Sequence, residues 1–410
     1  MTLAERDKAV VWHPYTPQKY SPDPIPVVKG DGVYLFDTNG KAYIDAISSW
    51  WVTIHGHANQ YIAEKIYQQA RTLEQVIFAG FTHEPAVQLA EQLLQVLPGD
   101  FARVFYSDNG STAVEVAVKM GLQYWWNQGV GKRNKVLALT HSYHGDTFGA
   151  MSFSERSVFT MAFQDKLFEV LFIDADDERE LPWDEIACFI YEPLLQGAGG
   201  MKIYSPQVLD RLLKQCHAHE VICIADEVMT GFGRTGKLFA SMYVEEKPDI
   251  ICLSKGLTGG TMALGVTACT QKVHNAFVQE DKTKTFFHGH SFTANPLACA
   301  AALASMELLL QPACLERIES ISAMNEAFLK ELTHSHVKNK RSLGTILAFE
   351  IESGKDGYLN SVKEQVTEKA LQQGVYLRPL GNTVYIMPPY CITEEELKKV
   401  YDVILSILQP

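Results

Sequence analysis

Two residues of complementary chemistry stand at the ends of two short apolar runs. VICIAD ends on Asp226, and DIICLSKG carries Lys255. Apolar runs of this length between turn residues read as buried parallel strands, although short buried helices share the pattern. In an open α/β sheet the ligand crevice lies outside the carboxyl ends of the strands, so a carboxylate and an amine placed there face one site. Pyridoxal phosphate needs that pair: a lysine as Schiff-base partner and a carboxylate that keeps the pyridine nitrogen protonated. Taken singly, Asp226 reads as a helix cap and Lys255 as a solvated charge. The elements around them have to decide.

Phe101–Tyr106 reads as a strand that runs into Ser107-Asp108-Asn109-Gly110-Ser111-Thr112, followed at once by the apolar helix AVEVAVKMGLQYWW. Strand, small polar loop and helix start together make an anion site, because free N–H groups, hydroxyls and the dipole end converge there. A plain N-cap fits the same residues. The loop matches neither nucleotide-binding glycine pattern, which argues against a nicotinamide dehydrogenase. KVLALT (135–140) leads to Tyr143 at another strand end, where its ring is placed to stack on a planar ligand. CFIYEP at 188–193 runs into a Gly-rich loop with Glu192 and Gln196 close by, and a helix near 206–219 precedes Asp226.

This alternation predicts an α/β fold with a large, mostly parallel, helix-covered sheet. Beyond about residue 311 a charged helix (316–333), a strand (343–351), a helix (358–373), two short strands and a final helix capped by Thr393 predict a smaller α+β domain. The first 48 residues hold a hairpin at Asn39-Gly40 and the aromatic arm WHPYTPQ, and are expected to pack with that smaller domain. The expected division is 1–48, 49–310 and 311–410.

Composition narrows the function. The 410 residues are 47% hydrophobic and 20% charged, with a formal net charge of -12 and no basic run. That excludes a phosphate-backbone binder, so no nucleic-acid partner is expected. The eight cysteines form no CxxC, and neither a signal-peptide core nor a stretch of membrane-spanning length is evident. A cytoplasmic protein with no membrane partner is the expectation. The histidine pairs 55/57, 141/144, 217/219, 288/290 and 334/336 lack a third ligand at recognisable spacing, so no metal is expected.

DEVMTGFGRTG followed downstream by SKG resembles the signature of the class III aminotransferases of pyridoxal-phosphate fold type I. Within that family WHPYT, SSWW, SYHGDTFGAMS, QGAGG, KGLTGGTMALG, HGHSFTANPLACAAA and VYLRPLGN resemble the diaminopelargonate synthase branch, over about residues 12 to 390. The resemblance implies transfer of an amino group to 8-amino-7-oxononanoate in biotin biosynthesis, with pyridoxal 5′-phosphate as cofactor. S-adenosylmethionine is the expected donor, and one branch uses lysine instead. It implies Lys255 as the Schiff-base lysine and proton carrier, Asp226 on the pyridinium, Val228 beneath the ring and Tyr143 stacked on it. Gly110 and Ser111 would bind the phosphate.

The same resemblance implies a homodimer, in which Gly289, His290 and Ser291 complete the phosphate and substrate sites from the second subunit. Tyr15, Trp50 and Trp51 would wall the substrate channel, and Arg378 would fork the substrate carboxylate. Arg234 either touches the donor's carboxylate or pairs with a structural acid. The chain departs from the family pattern at His290, where proline is usual, and at Ser291, where threonine is usual. Another class III transaminase of ω-amino acids or diamines, and a non-catalytic cofactor-binding protein, are the competing readings.

Overall fold

The structure, a computed structural model, describes residues 1–352 and 362–409. Its centre is a seven-stranded sheet. The strands lie in the order Phe101–Ser107, Gly265–Thr270, Ile250–Leu253, Ile222–Asp226, Ile186–Tyr191, Lys135–Leu139 and Leu171–Ile173. Gly265–Thr270 pairs antiparallel with both neighbours, and the other printed pairings in this sheet are parallel. The uniformly apolar runs follow from burial on two faces. Ile222 and Ile224 pack with Ala113, Val114 and Ala117 of the helix Gly110–Asn127. Cys223 and Ala225, pointing the other way, join Leu209 and Leu213 of the helix Pro206–Ala218. Each strand therefore needs apolar side chains at every position and shows no alternation.

Parallel register then fixes the functional ends. Asp226 is the last residue of its strand and pairs with Cys252, so Leu253, Ser254 and Lys255 leave the adjacent strand just beyond it.

The N-terminal hairpin forms as expected, with Tyr34–Asp37 antiparallel to Ala42–Asp45. Asp37 closes the turn by accepting the Asn39 and Lys41 N–H groups. The hairpin's second strand, Ala42–Asp45, pairs in parallel with Val375–Tyr376, which joins the first 48 residues physically to the C-terminal part of the chain. There a second sheet runs Val337–Leu343, Ile346–Ile351 and Thr383–Ile386. The single strand expected at 343–351 is thus the end of one strand and all of the next, turning at Gly344 with φ 59°. The strand Val337–Leu343 escapes pattern reading because KNKRS sits on an edge facing solvent, where charge is favoured. Residues 358–361 of the expected helix lie outside the described residues; the helix described there runs Val362–Gln372. The short strand Leu171–Ile173 and the N-terminal helix Leu3–Val10 carry too little pattern to be read from sequence.

No single described helix is long and apolar enough to cross a membrane.

The last helix, Glu394–Leu408, starts with a reciprocal capping box between Thr393 and Glu396, and three glutamates occupy its first turn. Replacing Thr393 by alanine removes one orphan N–H's acceptor and should cost about 1 kcal/mol in a urea-unfolding titration.

Candidate active site

Lys255 is a non-glycine residue at φ 47°, a left-handed turn placed immediately after a buried strand. Backbone of that kind persists where its surroundings over-determine it, and it clusters at functional sites. The Lys255 Nζ stands 4.6 Å from the ring centroid of Trp51. Burial pushes its pKa down to about 8; the charges of Asp226 and Glu192 oppose that shift and the Arg234 guanidinium adds to it. An amine in this state gives up its proton far more readily than a surface lysine.

Asp226 is buried and engaged on both oxygens. Its Oδ2 lies 2.7 Å from His144 Nδ1, and its Oδ1 accepts the Val228 N–H at 3.1 Å. His144 is itself buried. Its contact fixes the direction of the carboxylate, a role that sequence reading missed when it set His141 and His144 aside as a metal pair. The signal was available in His144's place next to Tyr143, in the loop that follows a strand end.

Glu192 ties two loops together, accepting the Tyr143 N–H at 3.0 Å and the Gly197 N–H at 2.9 Å. Its burial and the nearby Asp226 charge push its pKa up to about 7, against the pull of His144 and of the two N–H donors. Tyr143 is held at its other end by Tyr15, whose hydroxyl lies 3.4 Å away, and Tyr15 donates in turn to Asp146. Burial, then Tyr15 and Asp146, push the Tyr143 phenol upward, so it stays protonated. Asp146 was not anticipated. An exposed aspartate in a glycine-containing loop reads as a turn residue unless the tyrosine brought to it from residue 15 is known.

The anion cradle is built as the sequence suggests. Asn109 caps the helix by accepting the Thr112 N–H at 2.9 Å. A Cβ added at Gly110 would stand 2.7 Å from Val228 Cγ1, and one at Gly145 would stand 2.0 Å from Ser111 Oγ. Only glycine lets these backbones close on one another. The helix start therefore packs directly on Val228, two residues past Asp226 in sequence. An amine, a carboxylate backed by imidazole, an aromatic ring and a helix N-terminus converge here, and this donor set fits a phosphorylated, protonated pyridine aldehyde.

On the far side, the Arg378 guanidinium carbon lies 4.9 Å from the Trp50 ring centroid, and the Tyr15 ring meets Trp50 at 5.4 Å. Phe159 closes the aromatic group, 5.7 Å from Tyr15. Arg234 is fully buried over Tyr390 and donates to the Pro388 carbonyl at 2.8 Å, while its Nε and Nη2 have no hydrogen-bond partner among the described residues. The Asp45 carboxylate is close enough to favour the buried Arg234 charge, so both alternatives for Arg234 stay open.

Gly289, His290 and Ser291 sit elsewhere. Ser291 accepts at its carbonyl from Gln75, and His290 caps its own turn through Phe292 and Thr293. The described residues give them no hydrogen bond to Lys255, Asp226 or Ser111 of the same chain.

One His/Cys/Asp group with metal-like spacing does occur among the described residues. The ligand atoms of His217, Cys223 and Asp249 lie within 4.8 Å of one another, at the amino ends of the strands and away from Lys255. Its polar atoms are already engaged: His217 with Glu246 at 2.8 Å, and Asp249 with Lys272 at 3.1 Å and with the Cys223 N–H at 2.9 Å.

The lowered pKa of Lys255 has a measurable sign. Only the neutral amine attacks an aldehyde, and it becomes populated as pH rises toward and through about 8. Reloading of cofactor-stripped protein with pyridoxal phosphate should accelerate from pH 6 upward and level off above that value, as followed by the visible absorption band. A rate still climbing steeply near the ordinary lysine pKa of ~10.4 would contradict the depressed pKa.

Residues 15–408 match the family model described as Aminotransferase class-III. An adenosylmethionine-8-amino-7-oxononanoate aminotransferase from Synechococcus elongatus is 46% identical, over 97% of this chain and 98% of its own length. One of the same name from Methanocaldococcus jannaschii has a crystal structure that superposes with a TM-score of 0.92 at 35% identity, covering 99% of this chain and 98% of that one. The ω-transaminase of Pseudomonas jessenii, solved in complex with PMP, superposes with a TM-score of 0.93 at 26% identity, over 100% of this chain and 98% of that one. The fold is that of the class III transaminases, and the chain belongs to the class-III aminotransferases.

Proposed function

We propose that this protein transfers the amino group of S-adenosylmethionine to 8-amino-7-oxononanoate, giving 7,8-diaminononanoate, with pyridoxal 5′-phosphate as cofactor. The observation that carries the reading is the wall running from Lys255 through Trp51 and Trp50 to Arg378. An apolar, aromatic wall between a reactive amine and a guanidinium able to bind a carboxylate suits a long-chain keto acid with a terminal carboxylate. Relatives matched end to end and named for that acceptor and that donor support the same substrates.

When bound, pyridoxal phosphate supplies an electron sink and the carbon that carries the amino group between the two substrates. The chain's residues do the rest. Lys255 Nζ would hold the cofactor, and as a neutral amine it would take up and return the proton of the substrate carbon. Its pKa of about 8 keeps the neutral form accessible. Asp226, oriented by His144, would hold a proton on the pyridine nitrogen. The N–H groups of Gly110 and Ser111 would hold the phosphate, and Val228 and Tyr143 would hold the ring. Arg378 would donate a two-pronged hydrogen bond to the acceptor's carboxylate, and Arg234, with two donors unpartnered among the described residues, stands ready for an anionic group of the donor.

The assembly we propose is a homodimer. Phe287 and Phe292, which flank the Gly289–Ser291 segment, are 75% and 63% exposed. Aromatic rings exposed on both sides of the segment favour a second surface that covers them. A second copy would bring Gly289, His290 and Ser291 to the phosphate side of the site, with the Ser291 hydroxyl in the role usually given to threonine. All eight cysteines are free and six are buried, in keeping with a cytoplasmic setting.

Arg378→Leu should raise KM for 8-amino-7-oxononanoate about tenfold or more while leaving kcat largely intact, since the fork binds ground and transition states alike. An unchanged KM in steady-state assays would remove Arg378 from the carboxylate site. Turnover of 4-aminobutyrate or acetylornithine in place of the keto acid's amination would favour the ω-amino acid reading.

A further inference from the structure

The tryptophans of the proposed channel stand on strained backbone. Ser48, Ser49 and Trp51 have φ of 53°, 61° and 67°, in the region that favours glycine, and none of them is glycine. Ser49 is also at ψ -97°, outside the left-handed helical well. Such a run persists only when the surroundings over-determine it.

Asp45 supplies much of that constraint. It is wholly buried at the end of the hairpin strand Ala42–Asp45. Its carboxylate accepts the Ser49 N–H at 2.6 Å, the Ile47 N–H at 3.3 Å and the Ser49 hydroxyl at 3.4 Å. His57 Nε2 lies 2.9 Å from the same Oδ2 that holds Ser49. His57 cannot back away: its N–H donates to the Gly32 carbonyl at 2.7 Å, and a Cβ on Gly30 would lie 2.5 Å from the His57 Cβ. From the opposite side Ser48 Oγ donates to the Met387 carbonyl at 2.7 Å, and Trp51 Nε1 to the Tyr385 hydroxyl at 2.8 Å. The segment between these anchors presents Trp51 to Lys255 and Trp50 to Arg378.

The geometry points to Asp45 and His57 as positioning residues that hold the Ser48–Trp51 turn in its strained form and so set the two tryptophans between the reactive amine and the carboxylate site. They act through the backbone of Ser49, and the inference rests on the functional reading above. It gives His57 a task that no metal reading of His55-Gly56-His57 supplies. A competing role exists for Asp45, because it lies close enough to Arg234 to favour that buried charge. The two roles separate at Ser49: glycine adopts φ 61° without a Cβ penalty, so Ser49→Gly relieves the backbone but restores no charge.

The test compares wild type, Asp45→Asn, Asp45→Asn/Ser49→Gly and His57→Gln as cofactor-loaded full-length proteins. Asp45→Asn should keep its cofactor yet lose about tenfold in kcat/KM for the keto acid, mainly through KM, as expected for a lost charge-assisted hydrogen bond. Adding Ser49→Gly should recover most of that loss, and His57→Gln should show a smaller loss of the same kind. A deficit that Ser49→Gly leaves untouched assigns Asp45 to Arg234 and overturns the proposal, as does an Asp45→Asn variant as active as wild type. If Asp45→Asn does not accumulate folded, His57→Gln with and without Ser49→Gly carries the same comparison, since the carboxylate stays in place. Wild type that fails to aminate the keto acid defeats the functional reading instead; the same variants are then compared by the rate at which an amine bleaches the visible band.

Discussion

Everything at this site depends on the register of two adjacent parallel strands. Asp226 ends one strand opposite Cys252 of the next, and Lys255 follows three residues beyond Cys252. A one-residue slip would turn Asp226 away and exchange the two faces of its strand, setting Ile222 and Ile224 against the wrong helix layer. The core that fixes the register is therefore the same core that fixes the chemistry. The apolar contacts of Ile224 with the helix Gly110–Asn127 also seat that helix's N-terminus over Val228. Amine, carboxylate and anion cradle are thus placed by one piece of packing.

Electrostatics then sets the protonation states. Lys255, Asp226, Glu192 and Arg234 all lie in a largely buried volume, where each charge is costly unless met. Asp226 is met by His144 and by the Val228 N–H. Glu192 accepts two N–H groups and has its pKa pushed up to about 7. Among the described residues Lys255 has no such hydrogen bond, only an aromatic face, and burial pushes its pKa down to about 8. Arg234 keeps two donors unpartnered among the described residues. The charges left incompletely satisfied, Lys255 and Arg234, are the ones a cofactor and an anionic substrate would satisfy.

Much of this was legible in the sequence, for identifiable reasons. Buried strands that end on an ionisable residue, a Ser/Thr/Gly helix start and an aromatic beside a strand end are local patterns, and Asp226, Lys255, Tyr143, Gly110 and Ser111 are the residues they single out. What escaped is non-local. His144 owes its contact to Asp226, 82 residues away, and Asp146 owes its contact to Tyr15, 131 residues away. The Asp45 clamp depends on left-handed backbone at serine and tryptophan, which no propensity signals. The strand Val337–Leu343 was hidden by its charge. Long-range pairing of polar side chains leaves no periodicity to read.

The most direct measurement is the visible absorption spectrum of the purified, cofactor-loaded protein during separate additions of S-adenosylmethionine and of lysine. The band from cofactor held on Lys255 should be bleached by S-adenosylmethionine, left alone by lysine, and restored when 8-amino-7-oxononanoate is added. Bleaching by lysine alone would keep the acceptor and overturn the donor. A protein that forms no band with added pyridoxal phosphate would contradict the assignment of Lys255 and, with it, the account of the site.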